Sequence, residues 1–133
     1  SCRVHPVPMQ ITITLSLPHK CLRPNVRSHW APKSRAIKQA RQDAQQAAFE
    51  RFKELSGPFL INHYFLHPFY ATARFCFDDN IIASCKSYRD GIADAANQDD
   101  RSFRCAGVVP EKDSKNPRLE IIIDITLLID HND

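Results

Sequence analysis

Six carboxylates crowd the middle of the chain, with a single lysine among them: Asp78, Asp79, Lys86, Asp90, Asp94, Asp99 and Asp100. On a helix at 100° per residue counted from Asp79, Lys86 falls at about −20° and Asp90 at about +20°. Asp79, Lys86 and Asp90 therefore share one face. Clustered carboxylates repel one another and drift toward protonation unless a cation joins them. Oxygen donors of this kind suit Mg²⁺ or Mn²⁺, ions that keep several waters and accept phosphate oxygens. Such an ion polarises a phosphodiester and activates water, and a neighbouring lysine stabilises the charge that develops. The alternative is a solvated helix face whose N-terminal acids are favoured by the macrodipole.

The charge balance adds a second clue. The net charge is only +3, but residues 1–60 hold ten Lys/Arg against three acids, whereas residues 61–133 hold eight against twelve. From 20 to 41 the sequence carries Lys20, Arg23, Arg27, Lys33, Arg35, Lys38 and Arg41 with no acid between them. A polyanion is drawn to that stretch and repelled by the acidic one unless cations occupy it. A basic helix is also commonly just a solvated face, and both readings stay open here. Asn25 is a further candidate DNA contact. Trp30 and His29 read more readily as loop packing and a satisfied loop histidine.

The elements that must position these residues are legible in outline. At 133 residues, 43% hydrophobic and 25% charged, the chain is one ordinary globular domain. Residues 1–8 read as a leader with little structure. The only methionine, Met9, follows it and suits a natural start for a single domain over 9–130. Residues 10–17 alternate Ile11, Ile13, Leu15 and Leu17 with polar residues, as a half-buried strand does. Ser34 suits the N-cap of a helix reaching about Leu55, stopped by Gly57-Pro58. Residues 59–67 and 70–77 read as two strands separated by His67-Pro68. A second helix follows from 78–80 to Ala96, its apolar stripe made of Ile82, Cys85, Ile92 and Ala96. Strands near 103–109 and 118–127 flank a polar loop. The order β-α-β-β-α-β-β gives an α+β fold: a two-layer sandwich of a mixed sheet and two main helices. Phe65, Phe69 and Tyr70 mark a candidate patch on the sheet's exposed side.

Neither apolar run, 58–69 nor 119–129, approaches the roughly 20 residues of a bilayer span. No basic stretch followed by an apolar one opens the chain, so no secretion signal is expected. The five cysteines are odd in number and contain no CxxC, which favours free, mostly buried thiols over zinc or disulfides.

The run from Asp79-Asn80 through Lys86 and Asp90-Gly91 to Asp99-Asp100 resembles the RusA family of Holliday-junction resolvases. Those phage and prophage proteins carry D-x-D-N, then K-x-x-x-D, then a D-D pair. Leu22-Arg23-Pro24-Asn25, ahead of His29-Trp30, is similar to the family's loop before a basic helix. The resemblance covers roughly residues 10–125. It implies a cytoplasmic, homodimeric, Mg²⁺- or Mn²⁺-dependent endonuclease that nicks four-way DNA junctions in pairs during recombination and repair. On this match Asp79 and Asp100 are metal ligands, Lys86 is the essential lysine and Asp90 the acid a turn beyond it. The first Asp of D-x-D-N falls on Phe77, and the expectation is that Asp78 takes its place. Asp99 is the other candidate ligand, and Arg74 is what remains of the family's arginine run. A different class of function competes: a non-catalytic junction- or nucleic-acid-binding protein with a degenerate metal site. A flap or replication-fork nuclease on the same scaffold is a third reading.

Overall fold

The computed structural model describes residues 2–24, 30–99, 101 and 103–132. Strand β1 spans Cys2–Leu15, followed by a 3₁₀ turn at Lys20–Leu22 and helix α1 over Trp30–Phe52. Strand β2 covers Phe59–Tyr70. Two helices follow, α2 at Asp78–Ser84 and α3 at Lys86–Ala96, and then β3 (Arg104–Val108), β4 (Glu111–Lys112) and β5 (Arg118–Asn132). The sheet runs β1-β5-β2-β3, with β4 also pairing to β2. β5 is antiparallel to both β1 and β2, whereas β3 and β4 run parallel to β2, so the sheet is mixed. Five strands and three helices make an α+β fold, consistent with a two-layer sandwich. Among the described residues no helix is long and apolar enough to cross a membrane.

β5 explains the layering. Leu119, Ile121, Ile123, Ile125 and Leu127 alternate with half-buried residues and are all buried, so one face of the central strand is wholly apolar. Ile11, Ile13, Ile61, Tyr64 and Leu66 extend that face across β1 and β2. Ala40, Ala44, Ala48 and Phe52 from α1, with Cys85, Tyr88, Ile92 and Ala93 from the second helical segment, close over it. The opposite face carries ion pairs instead. His63 Nε2 lies 2.6 Å from Asp124, and Arg118 reaches Asp113 at 2.9 Å and Glu120 at 3.2 Å. Phe69, expected in an exposed patch, is only 7% exposed because the Arg118 guanidinium sits 3.7 Å above its ring.

Several boundaries differ from the sequence reading. Residues 2–8 continue β1 rather than forming a loose leader, because β5 is long enough to pair with them as far as Asn132. Pro6 and Pro8 are tolerated there. Leu128 N–H points away from β1, to Pro58 O at 2.8 Å, so the Pro6–Leu128 pair, and Pro8–Thr126 two residues on, need no ladder donor from proline. Both rings face the free edge, where Arg51 Nη1 also bonds Thr12 O at 3.0 Å.

α1 starts at Trp30 and not after Ser34, which lies inside it; Pro32 fits the first turn, where no intrahelical donor is needed. The two strands expected on either side of His67-Pro68 are one, and 71–77 is not strand. Val109 N–H bonds Leu66 O and Asp113 N–H bonds Tyr70 O, so Pro68 faces the Val109-Pro110 break between β3 and β4 and interrupts no ladder. The single acidic helix is divided at Cys85, with φ −93° and ψ 7°. Ser84 Oγ bonds back to Asn80 O at 2.7 Å, a contact that bends helices.

Candidate functional site

α3 holds the best-defined part of the site. Lys86, Asp90 and Asp94 stand at i, i+4 and i+8, a single ridge along the helix. Lys86 Nζ lies 3.1 Å from Asp90 Oδ2; the lysine is 66% exposed and the carboxylate only 16%. Asp90 Oδ1 is buried and has no hydrogen-bond partner among the described residues, leaving an acceptor that favours a cation or donor beside it. Farther along the ridge, Arg41 of α1 grips Asp94 with two bonds, Nε to Oδ2 at 2.6 Å and Nη2 to Oδ1 at 2.9 Å. Those bonds, partly opposed by burial, hold the Asp94 carboxyl below its ordinary value.

The end of α3 returns the chain to the same place. Asn97 takes the left-handed conformation (φ 53°, ψ 43°), and Gln98 N–H reaches back to Ala93 O at 3.1 Å. The Gln98 side chain then bridges the backbone of β2, from Nε2 to Phe59 O at 2.7 Å and from Ile61 N–H to Oε1 at 3.1 Å. Asp99 follows, its carboxylate holding Arg101 at 2.9 Å. Arg41, Lys86, Asp90, Asp94, Gln98 and Asp99 line one cleft of about 260 Å³ between α1 and the end of α3. The sequence suggests a bend that returns an Asp99-Asp100 carboxylate toward Asp79; Asp99 instead lines the cleft with Lys86 and Asp90, whereas Asp79 lines another depression. Asp100 lies outside the described residues.

Asp78 and Asp79 open α2 and are exposed. They line a different, wider depression with Phe75, Cys76, Phe77 and Pro110. Asp79 in α2 and Lys86 in α3 therefore line different depressions, although the sequence places them on one helix face. The oxygen donors of Asp78 and Asp79 are of the right kind for Mg²⁺. Among the described residues, however, no three His, Cys, Asp or Glu side chains gather closely enough to hold a metal ion.

Of the basic residues, Arg35 and Lys38 are exposed on the side of α1 away from its Ala40–Ala44–Ala48 stripe. Lys33 is half-buried near the helix start. Lys20 and Arg23 are exposed in and after the 3₁₀ turn, and Arg74 is exposed in the bend before α2. Asn25, Arg27 and His29 fall outside the described residues. Sequence reasoning counted Asp94 among the clustered acids but gave it no role in the site. Its spacing four residues beyond Asp90 was the available signal, but its partner lies 53 residues away, on a separate helix.

Cys21, Cys76, Cys85 and Cys105 are free. Cys85 is buried, and burial pushes its thiol well above the ordinary value.

No family model matches the sequence. Among solved structures, IspF of Plasmodium falciparum in complex with CDP overlaps with a TM-score of 0.32 at 11% identity, over 98% of this chain and 97% of that one. The 2C-methyl-D-erythritol 2,4-cyclodiphosphate synthase of Plasmodium vivax overlaps with a TM-score of 0.31 at 9% identity, over 99% and 100%. Overlaps this loose do not bear on the site. In sequence, an uncharacterized protein of Xylella fastidiosa (strain Temecula1) is 42% identical over 106 residues, which amount to 77% of this chain and 69% of that protein. At that identity and coverage, this chain belongs to the same family as the Xylella fastidiosa protein.

Proposed function

We propose that the protein is a metal-dependent endonuclease acting on branched DNA, a four-way-junction resolvase of RusA type. The observation that carries the reading is the cleft in which Lys86, Asp90 and Asp99 meet beside the basic helix α1. An amine and carboxylates, one with an unpartnered oxygen, there adjoin a surface suited to phosphates. On this reading Asp78 and Asp79, with Asp100, hold Mg²⁺ or Mn²⁺, and Asp99 stands apart from them in the cleft with Lys86 and Asp90. The bound ion supplies charge neutralisation at the scissile phosphate. Lys86 stabilises charge on the phosphate, and Asp90 keeps the amine oriented through their 3.1 Å contact. Arg35, Lys38, Lys33, Lys20, Arg23 and Arg74, with Asn25 and Arg27, supply phosphate contacts. A homodimer presents two such sites to two related strands. A cytoplasmic role in recombination and repair, encoded by a phage or prophage, goes with this reading.

The test is incubation of the protein with a labelled four-way junction and Mg²⁺ or Mn²⁺. The expected result is paired nicking by the wild type, and binding without cutting by Asp79→Asn. Flaps and plain duplex run in parallel should be cut less. Salt-sensitive binding with no cleavage under any metal instead supports a binding protein with a degenerate site. Phe77 in place of a carboxylate is the feature that favours this second reading.

A further inference from the structure

Arg41 lies in the basic run and on the cleft, so it invites assignment as a phosphate contact. Its geometry argues otherwise. One edge of its guanidinium, Nε and Nη2, is committed to Asp94 at 2.6 and 2.9 Å, an arrangement with fixed direction as well as attraction. The pair sits beside a close approach of the two helices at Gly91, with Asp94 three residues farther along α3. A Cβ built on Gly91 would lie 2.2 Å from Arg41 O, 2.9 Å from Gln45 N and 3.0 Å from the Ala44 Cβ. There the backbone of α3 rests directly on that of α1, with buried Ala44 beside it. Small residues set the distance between the helices; they do not fix rotation or sliding. A bidentate pair three residues from the contact supplies that constraint.

We infer that Arg41 and Asp94 are positioning residues that lock α1 onto α3, so that the basic surface of one and the Lys86–Asp90 pair of the other move as a single body. What that body acts on rests on the nuclease reading; the lock itself does not. The two assignments of Arg41 predict opposite effects of removing Asp94. Deleting an acid beside a phosphate-binding surface, and freeing an arginine there, strengthens DNA binding. Deleting half of a lock misplaces Lys86 and weakens cleavage, as deleting Arg41 does.

The experiment compares wild type, Arg41→Ala, Asp94→Ala, the double variant and the reversed pair Arg41→Asp/Asp94→Arg. Each is assayed for single-turnover cleavage of a labelled four-way junction with Mg²⁺, and for junction affinity across a salt series. Each single variant should lose roughly tenfold in cleavage rate, the double should be no worse than either single, and the reversed pair should recover part of the loss. The slope of log affinity against log salt should stay at its wild-type value in Arg41→Ala. Loss of a phosphate contact would flatten it by about 0.9. Tighter binding or faster cutting by Asp94→Ala overturns the inference, as does a flattened slope in Arg41→Ala or additive losses in the double. If wild type neither binds nor cuts the junction, the nuclease reading fails and the lock is judged by amide hydrogen exchange of the free protein. Equal loss of protection along 37–45 in both single variants, with no further loss in the double, sustains it. Unchanged protection overturns it.

Discussion

Phe77 leaves 82% of its surface in solvent directly before Asp78 and Asp79. It is also the N-cap of α2, where its side chain makes no capping bond. An aspartate at that position would cap the helix and add a third oxygen donor beside the two acids. Phe77→Asp should therefore stabilise the protein by about 1 kcal/mol at neutral pH and tighten Mn²⁺ binding by on the order of tenfold. Calorimetric titration and thermal unfolding check the two effects. Asp79→Asn placed on top should cancel the gain in metal affinity and leave the capping gain. The thiols make a second residue-scale prediction. Cys85, buried and shifted toward the protonated form, should resist a thiol reagent in the native protein and react only on unfolding. Half-buried Cys76 should react before Cys85.

At the scale of elements, the close contact between α1 and α3 is the feature most exposed to mutation. Gly91→Ala has no room, because the groups it meets are backbone atoms of α1 and not the ends of flexible side chains. Overpacking of this kind costs about 1–3 kcal/mol, and a fall of several degrees in melting temperature should report it. The same elements show what a sequence can disclose. The alternation of Ile11, Ile13 and Leu15 and the existence of both helical regions were legible, since period and propensity are local properties. Several boundaries, the start of α1 among them, were not. β1 begins at Cys2 because a partner strand 130 residues away reaches that far, and β2 passes through Pro68 because the adjoining ladder is broken opposite it. The bend at Cys85 depends on a serine hydroxyl choosing a carbonyl, which no periodicity announces. For the site, a turn after α3 was foreseeable, but it brings Asp99 beside Lys86 and Asp90 and not to Asp79. The engagement of Arg41 by Asp94 was hidden by their separation in the chain.

Across the whole molecule, stability should depend on pH through the two carboxyls held low. Asp94 is lowered first by its bonds from Arg41, and Asp113 first by its bond from Arg118, burial opposing both. A carboxyl lowered in the folded state binds fewer protons there than in the unfolded chain. Its contribution is complete above the ordinary carboxylate range, near about pH 4, and is lost as pH falls through the folded value. Urea unfolding midpoints should thus hold steady from neutral pH to about pH 5 and fall below it. Arg41→Ala and Arg118→Ala should each reduce that acid sensitivity while lowering stability at pH 7. Because both pairs are largely solvent-accessible, each change should be modest.

The first strand has a consequence for how copies of this protein can meet. Along its outer side the prolines withhold N–H groups at alternate positions, and an arginine already occupies one carbonyl. A foreign backbone laid against that border finds no continuous row of partners to zip onto. Growth of the sheet from molecule to molecule is blocked on that flank, and any assembly formed there must be knitted by side chains.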